Sequence, residues 1–562
     1  MKGYRKDYGK SITKQTHKFR FNNNQIIGAP DAESDHMLDR VFIDNGTLDV
    51  LRDVDNPKCI IVGRTGSGKS ALIKKLIASE TKIIRIAPES MALQYLSNST
   101  ILDYFRSIGV KLNFFYKVLW KHVFIVEVLK LYLGETEHKK QTLLQTLWSK
   151  ISTGGKGDIS RRAALEYFDK WADEFWLKTE YRVKTLEKDL EVKFLSEAGL
   201  TPDILKLSSS GSFAKSEKNI AEIKYKAEQI ISEVQAADLI NLIDILEQEV
   251  FNNSQKKYFI VIDDLDKEWV SPQIVYDLIG AMIEVVKEFQ EKFYGVKIIL
   301  ALRENLHQII FSEKQHRGGQ REKFAPLFLN LIWDDYSLKE LINSRLQLIS
   351  QEQLTVGNVF DKTGKSNISG IDYILERTYS RPRDIISFFN KIIQFSNNKT
   401  YFNISVIKQA EPSYSLERIH ALEDEWAENY GDISKAYSFL FGKYNGFNTY
   451  NIKEEWFHNF LLEQAVTSSF KGELLRISDR WIKSDLKPPD LKEFLRELLF
   501  ILFKIGIIGI KRRPELKIEF FYNSEVPICP SDFDNDVKIY IHKSLFSALK
   551  INTKEQEINF LD

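Results

Sequence analysis

The chain has 562 residues, 43% apolar and 28% charged, with a formal charge of +1. That length exceeds a single hydrophobic core and implies three or four domains, the composition is that of a folded soluble protein, and the balanced charge excludes a chain-wide pull toward nucleic acid or membrane. Two cysteines far apart, Cys59 and Cys529, and nine histidines without ligand spacing exclude a disulfide framework and a zinc site, so a reducing cytoplasm is the expected compartment.

Residues 1–25 carry Lys2, Arg5, Lys6, Lys10, Lys14, Lys18 and Arg20 against Asp7, with Tyr4, Tyr8 and Phe19 interleaved. They read as an arm that either touches nucleic acid or a partner subunit, or lies on the protein's own surface. The first twenty residues have no apolar core, so no secretory leader is expected. Apolar runs predict strands near 58–62, 82–87, 258–262, 296–302 and 328–332. Helices are expected after the first, third and fourth of these. Such alternation predicts an α/β core with a five-stranded parallel sheet and helices on both faces, built from 26–100 and 255–350.

Residues 101–254 are predicted to form an all-α insertion. Helical spacing shows at 112–133 and 220–251, with breaks at 154–158 and 208–212. The insertion is read either as a partner-specific element or as plain structural filling. A helical lid follows over 351–411. The last region, 412–562, starts with helices and then offers a helix at 491–503 and strands at 506–511, 516–522 and 537–541. That order fits a winged helix. Its tip would be 530–536, with Lys511-Arg512-Arg513 at the opposite end of the strand pair. Three aspartates in the tip would repel phosphates, so a docking module is expected ahead of a sequence reader. The most apolar stretch, 498–510, is too short to span a bilayer and includes Lys504.

The chemistry is concentrated in two short strings. Ile60-Ile61-Val62 opens into Gly63-Arg64-Thr65-Gly66-Ser67-Gly68-Lys69-Ser70, followed by Ala71 and a helical run. This is the phosphate-binding P-loop pattern. Its glycines let successive N–H groups face the β- and γ-phosphates, Lys69 reaches the same oxygens, and the Ser70 hydroxyl can ligate Mg²⁺. The helix that follows favours the anion at its N-terminus. The second string is Tyr258-Phe259-Ile260-Val261-Ile262-Asp263-Asp264-Leu265-Asp266. A strand buried on both faces ends in acids, which is where ligand sites of open α/β sheets lie. Asp263 is assigned to the Mg²⁺ shell and Asp264 to orienting the attacking water, with Asp266 and Glu268 also nearby. Arg303, ending the run 296–302, is placed near the γ-phosphate as a sensor. Arg381 and Arg383 bracket Pro382 at a helix start and offer forks for phosphate oxygens. The bland reading of both arginines is ordinary salt bridging at a surface helix.

These residues together resemble the STAND and AAA+-like (ASCE) branch of P-loop ATPases. The likeness rests on Gly63 to Ser70, Ile260 to Asp264, Arg303 and Arg381-Pro382-Arg383-Asp384, with a terminal winged helix. It covers about half the chain. It implies ATP and Mg²⁺ as cofactors and ATP-dependent oligomerisation or switching, often in defence or regulation. Two departures stand out: Asp264 where many relatives carry Glu, and the long helical insertion.

Three functions compete at this point. One is an oligomeric ATPase switch that controls a separate effector, as in bacterial antiviral defence; Arg381, Arg383 or a neighbour's arginine would then sense the γ-phosphate. Another is a DNA-bound motor or loader. The third is a nucleotide-gated scaffold with little hydrolysis. No guanine-reading Asn-Lys-x-Asp occurs, which favours adenine.

Overall fold

A computed structural model of the chain describes residues 18–88, 100–133, 145, 188, 191–196, 224–225, 227, 236–252, 255–267, 269–311, 321–360, 369–453, 455–457, 460, 469–483, 488–524, 527–534 and 537–552. Internal contacts divide it into two compact units. One is residues 44–332; the other joins residues 1–43 to 333–562.

The first unit is an α/β layer structure. Its strands are β1 (Ile60–Gly63), β2 (Ile83–Ile86), β3 (Tyr258–Ile262), β4 (Val296–Arg303) and β5 (Phe328–Asn330). They form one sheet in the order β2-β3-β4-β1-β5, and every pairing is parallel. All five residues of β3 are buried, as a strand covered on both faces requires. The strands predicted from the apolar runs all form, within a residue or two of their expected bounds.

Helices Thr100–Ser107, Asn113–Leu133 and Ala236–Glu249 arise within the insertion. Asn113–Leu133 packs along Pro272–Lys292, where Trp120 donates its indole N–H to the Leu278 carbonyl at 2.9 Å and meets Trp269 edge to face. Lys117 and Lys121 pair with Glu284 and Glu288 along the rim of that contact. The apolar residues of these helices join the same buried cluster as the sheet. The described part of the insertion is thus helical, and its apolar residues pack over the sheet layer. The breaks expected at 154–158 and 208–212 lie outside the described residues.

The second unit begins with the N-terminal segment. Phe21 stacks on Phe402 with ring centres 4.5 Å apart, and its N–H donates to the Lys399 carbonyl at 2.9 Å. For residues 18–25 the own-surface reading holds; the rest of the arm lies outside the described residues. Helix Asp335–Ser350, capped by the Asp334 carboxylate on the Ser337 N–H, was expected with the sheet but belongs to this unit. Its Arg345 reaches Asp35 at 2.7 Å in a fully buried ion pair, which ties 26–43 to the same unit. The boundary expected at 411/412 falls inside helix Ile404–Tyr430, which carries Pro412 within it. Proline removes one ladder donor, but Ile407, Ala410, Tyr414 and Ile419 are all buried, and that packing carries the helix through.

Near the C-terminus, helix Pro488–Ile505 ends at Gly506, whose φ of +91° suits glycine. Two strands follow, β6 (Ile508–Lys511) and β7 (Lys538–Ile541), paired antiparallel. The strand expected at 516–522 reduces to one bridge, Ile510 to Glu519. Beyond it, Asn523 Oδ1 accepts the Phe520 N–H and closes a 3₁₀ turn that ends the pairing. Lys511 stands directly opposite Lys538, so Lys511-Arg512-Arg513 and the aspartate-rich segment share one end of the strand pair. This corrects the expectation that they lie at opposite ends.

Candidate active site

The loop after β1 has the shape its glycines dictate. Gly66 and Gly68 have φ of +77° and +98°, values that L side chains rarely adopt. A Cβ on Gly63 would come within 2.5 Å of the Ser67 hydroxyl, so a larger residue there would force the Ser67 side chain to move. Helix Lys69–Ser79 starts directly from Gly68. The Lys69 ammonium is drawn back over the loop, donating to the Gly63 carbonyl at 2.7 Å and the Arg64 carbonyl at 3.1 Å.

The acids follow β3 at the same end of the sheet, with β4 between them and the loop. Ile60 of β1 and Ile262 of β3 both register on Leu300 of β4, so both strands deliver their following residues to the carboxyl edge. Asp263 is buried, and its carboxyl is pushed above the usual range. Burial is the main cause, with the Asp264 charge adding to it. An N–H bond from Asp264 and the positive charges of Arg85 and Lys69 pull the other way. The glycine loop and the acids thus leave the same edge of the sheet, one strand apart.

Asp264 has a φ of +61°, a strained conformation outside glycine. Its N–H donates to Asp263 Oδ1 at 2.9 Å, and its carboxylate meets Arg85 and Lys267, each at 3.0 Å. Arg303 ends β4 opposite Gly63 and is ion-paired with Asp266. Asp266 thereby has a positioning partner, and Glu268 lies outside the described residues. The donor set (loop N–H groups, Lys69, the Ser70 hydroxyl and a buried carboxylate) fits a polyphosphate with a hard divalent cation.

Two residues of this cleft escaped the sequence reading. Arg85 sits in β2 and reaches Asp263 at 3.5 Å as well as Asp264. Its one signal was a charge inside the apolar run Ile83-Ile84-Arg85-Ile86. Lys267 had the i, i+3 spacing from Asp264 as its signal.

Arg381 and Arg383 belong to the second unit. Arg381 is buried, with its guanidinium on Asp384 at 2.9 Å and Glu425 at 3.6 Å. Burial opposes its charge, but these carboxylates more than restore it. Asp384 also takes Arg418 and the Tyr379 N–H. Arg383 is half-buried and donates to the Pro30 carbonyl at 3.4 Å. Burial, and then the charge of Arg381, lower its pKa.

Comparison with known proteins gives two likenesses. Residues 336–423 match the family described as FunZ-associated C-terminal helical domain. The match begins inside helix Asp335–Ser350 and runs through most of Ile404–Tyr430, so it falls wholly in the second unit. The chain is also similar to an Escherichia coli (strain K12) protein described as "Putative transposon gamma-delta 80.3 kDa protein", with 21% identity over 543 residues, covering 94% of this chain and 67% of that protein. Among the described residues no helix is long and apolar enough to cross a membrane.

Proposed function

We propose that the protein binds ATP with Mg²⁺ and hydrolyses it as an oligomeric switch that controls a partner protein. The observation that carries this reading is the parallel sheet, in which β1 and β3 flank β4, so that the glycine loop and the buried Asp263 both follow strands at the same carboxyl edge. Loop N–H groups and Lys69 would hold the phosphates. Ser70 and Asp263 would hold the ion, which supplies charge neutralisation on the transferred phosphoryl group. Asp264 would accept a proton from the attacking water, and Arg303, fixed by Asp266, would report on the γ-phosphate end. Phosphate release and particle mass, measured with and without ATP on one preparation, test the proposal. No ATP-dependent change in either quantity refutes it.

A second reading, a DNA-bound ATPase, is favoured by the likeness to the transposon-described protein. It requires that DNA accelerate phosphate release and that the acceleration fall steeply with salt.

A further inference from the structure

Residues 263–271 join β3 to helix Pro272–Lys292, and their side chains fall into two sets. Asp264, Asp266 and Lys267 are partly or fully exposed and make ion pairs. Leu265 and Trp269 turn inward and are buried. The left-handed backbone of Asp264 belongs to this loop. Outside glycine such a conformation costs energy and persists only where the surroundings hold it. Hydrogen bonds close the loop around it. The Lys267 N–H donates to the Asp264 carbonyl at 3.1 Å, and the Trp269 N–H donates to the Lys267 carbonyl at 3.0 Å. The Trp269 indole N–H then donates to the Leu265 carbonyl at 3.0 Å. A fully buried ring thus fixes the carbonyl of the residue directly after Asp264.

Trp269 is seated in turn on the insertion. Its ring meets Trp120 of helix Asn113–Leu133 edge to face, with centres 6.3 Å apart. Trp120 is held by the Leu278 carbonyl, stacks on Phe124 at 5.7 Å, and Phe124 meets Phe289. Both tryptophans are fully buried. A buried indole contributes a large apolar area and needs one acceptor, and each of these has one. In a close-packed interior such rings do not shift one at a time. A displacement of helix Asn113–Leu133 therefore reaches Trp269, and through it the Leu265 carbonyl beside Asp264.

We propose that Trp269 is a positioning residue for Asp264, and that helix Asn113–Leu133 acts on the Asp264 loop through Trp120. The insertion thereby has a role in the chemistry. A partner that shifts this helix changes the rate of phosphoryl transfer and leaves the hold of the glycine loop on the nucleotide as it was. The inference rests on the ATPase reading, because Asp264 must be the group that takes the proton from water.

The test is phosphate release from ATP by the full chain, resolved into kcat and KM, with thermal midpoints alongside. Trp269→Phe removes the indole donor and keeps a ring. Its kcat should fall by up to about 10²-fold, the weight of a small misplacement at the reacting groups, with KM unchanged. Trp120→Phe leaves the Trp269 hydrogen bond in place and should lower kcat roughly two- to thirtyfold. Added to Asp264→Asn, either tryptophan variant should cause no further loss, because residues acting through one group do not add. Should Trp269→Phe fail to fold, Trp120→Phe carries the test by the same readings. A lowered midpoint with kcat intact shows a role in packing alone and overturns the proposal. So does a full-sized further loss on top of Asp264→Asn. A parent that releases no phosphate removes the ATPase reading itself, whereas a hydrolysing parent matched by its tryptophan variants removes this inference and no other.

Discussion

Arg85 on β2 places its guanidinium 3.0 Å from Asp264 and 3.5 Å from Asp263, so a cation of the chain itself already stands over the carboxylates proposed to serve the metal. Arg85 then competes with Mg²⁺. Arg85→Ala is expected to lower the Mg²⁺ concentration for half-maximal ATP binding by about two- to fivefold, the range for a partly exposed ion pair. A Mg²⁺ titration of a fluorescent ATP analogue reads this directly. An unchanged midpoint would mean that the arginine leaves the ion site alone.

Asp264 separates an enzyme from a scaffold. In the switch reading, Asp264→Asn keeps ATP binding but slows phosphate release by roughly 10²- to 10⁴-fold, the usual weight of a positioned base. Lys69→Ala should lose binding itself. If Asp264→Asn turns over like the parent while Lys69→Ala abolishes assembly, the nucleotide gates a scaffold and hydrolysis is incidental.

Asp263 carries a pH signature. Its carboxyl is raised by burial, so the folded, nucleotide-free protein holds that proton to higher pH than the unfolded chain does. Linkage then gives a stability contribution that is full below the ordinary aspartate range and lost as pH rises through the raised value. Asp263→Asn should therefore gain stability over the parent as pH climbs from acid to neutral, while losing Mg²⁺-dependent ATP binding. Thermal midpoints of both proteins across that range check it. A parallel pH dependence would show that the buried carboxyl is not under strain.

Lys297 behaves in the opposite sense. It is buried in β4, with its ammonium donating to the Val50 and Asp53 carbonyls at 2.8 and 2.6 Å. Burial pulls its pKa down to about 8 from 10.5. Between those values the unfolded chain binds the extra proton, so stability should rise with pH across that window. Lys297→Met removes the slope, and it takes the ammonium donor from the Val50 and Asp53 carbonyls, of which Asp53 keeps the Asn56 N–H, at a cost of about 1–3 kcal/mol at neutral pH. Denaturant unfolding on both sides of pH 8 distinguishes the two effects.

Asp384 is enclosed by Arg381, Arg418 and the Tyr379 N–H. Asp384→Ala leaves two buried guanidinium groups without their shared carboxylate and should cost about 3–5 kcal/mol. Arg381→Ala should also lower the thermal midpoint. If it leaves the midpoint intact but depresses phosphate release, Arg381 senses nucleotide and is not a pin of the fold.

The parallel sheet was readable because its strands are continuous apolar runs ending in polar residues, from Tyr258 to Asp263 and from Val296 to Arg303. The loop from Gly63 to Ser70 was readable because its geometry needs glycine at fixed places. What escaped depends on long-range pairing. Arg85 is one charge in a short strand, and nothing local tells that β2 lies beside β3. Register in the C-terminal sheet was misjudged for a similar reason. Residues 516–522 alternate well enough for a strand, but the Asn523 side chain caps a turn there, and β6 takes β7 as its partner across about 25 intervening residues. The boundary at Pro412 failed because buried packing outweighs the loss of one helical bond.

Because β2 and β3 are neighbours at one margin of the sheet, everything between Ile86 and Tyr258 is an excursion that leaves and rejoins at that margin. The pairings of β1 with β4 and β5 are indifferent to its extent. Closing a longer excursion adds only about 0.6 kcal/mol per doubling. Residues can therefore be added between its helices at little cost in loop closure, whereas Asn113–Leu133 and Ala236–Glu249, which share the buried core of the sheet, cannot be shed without exposing it.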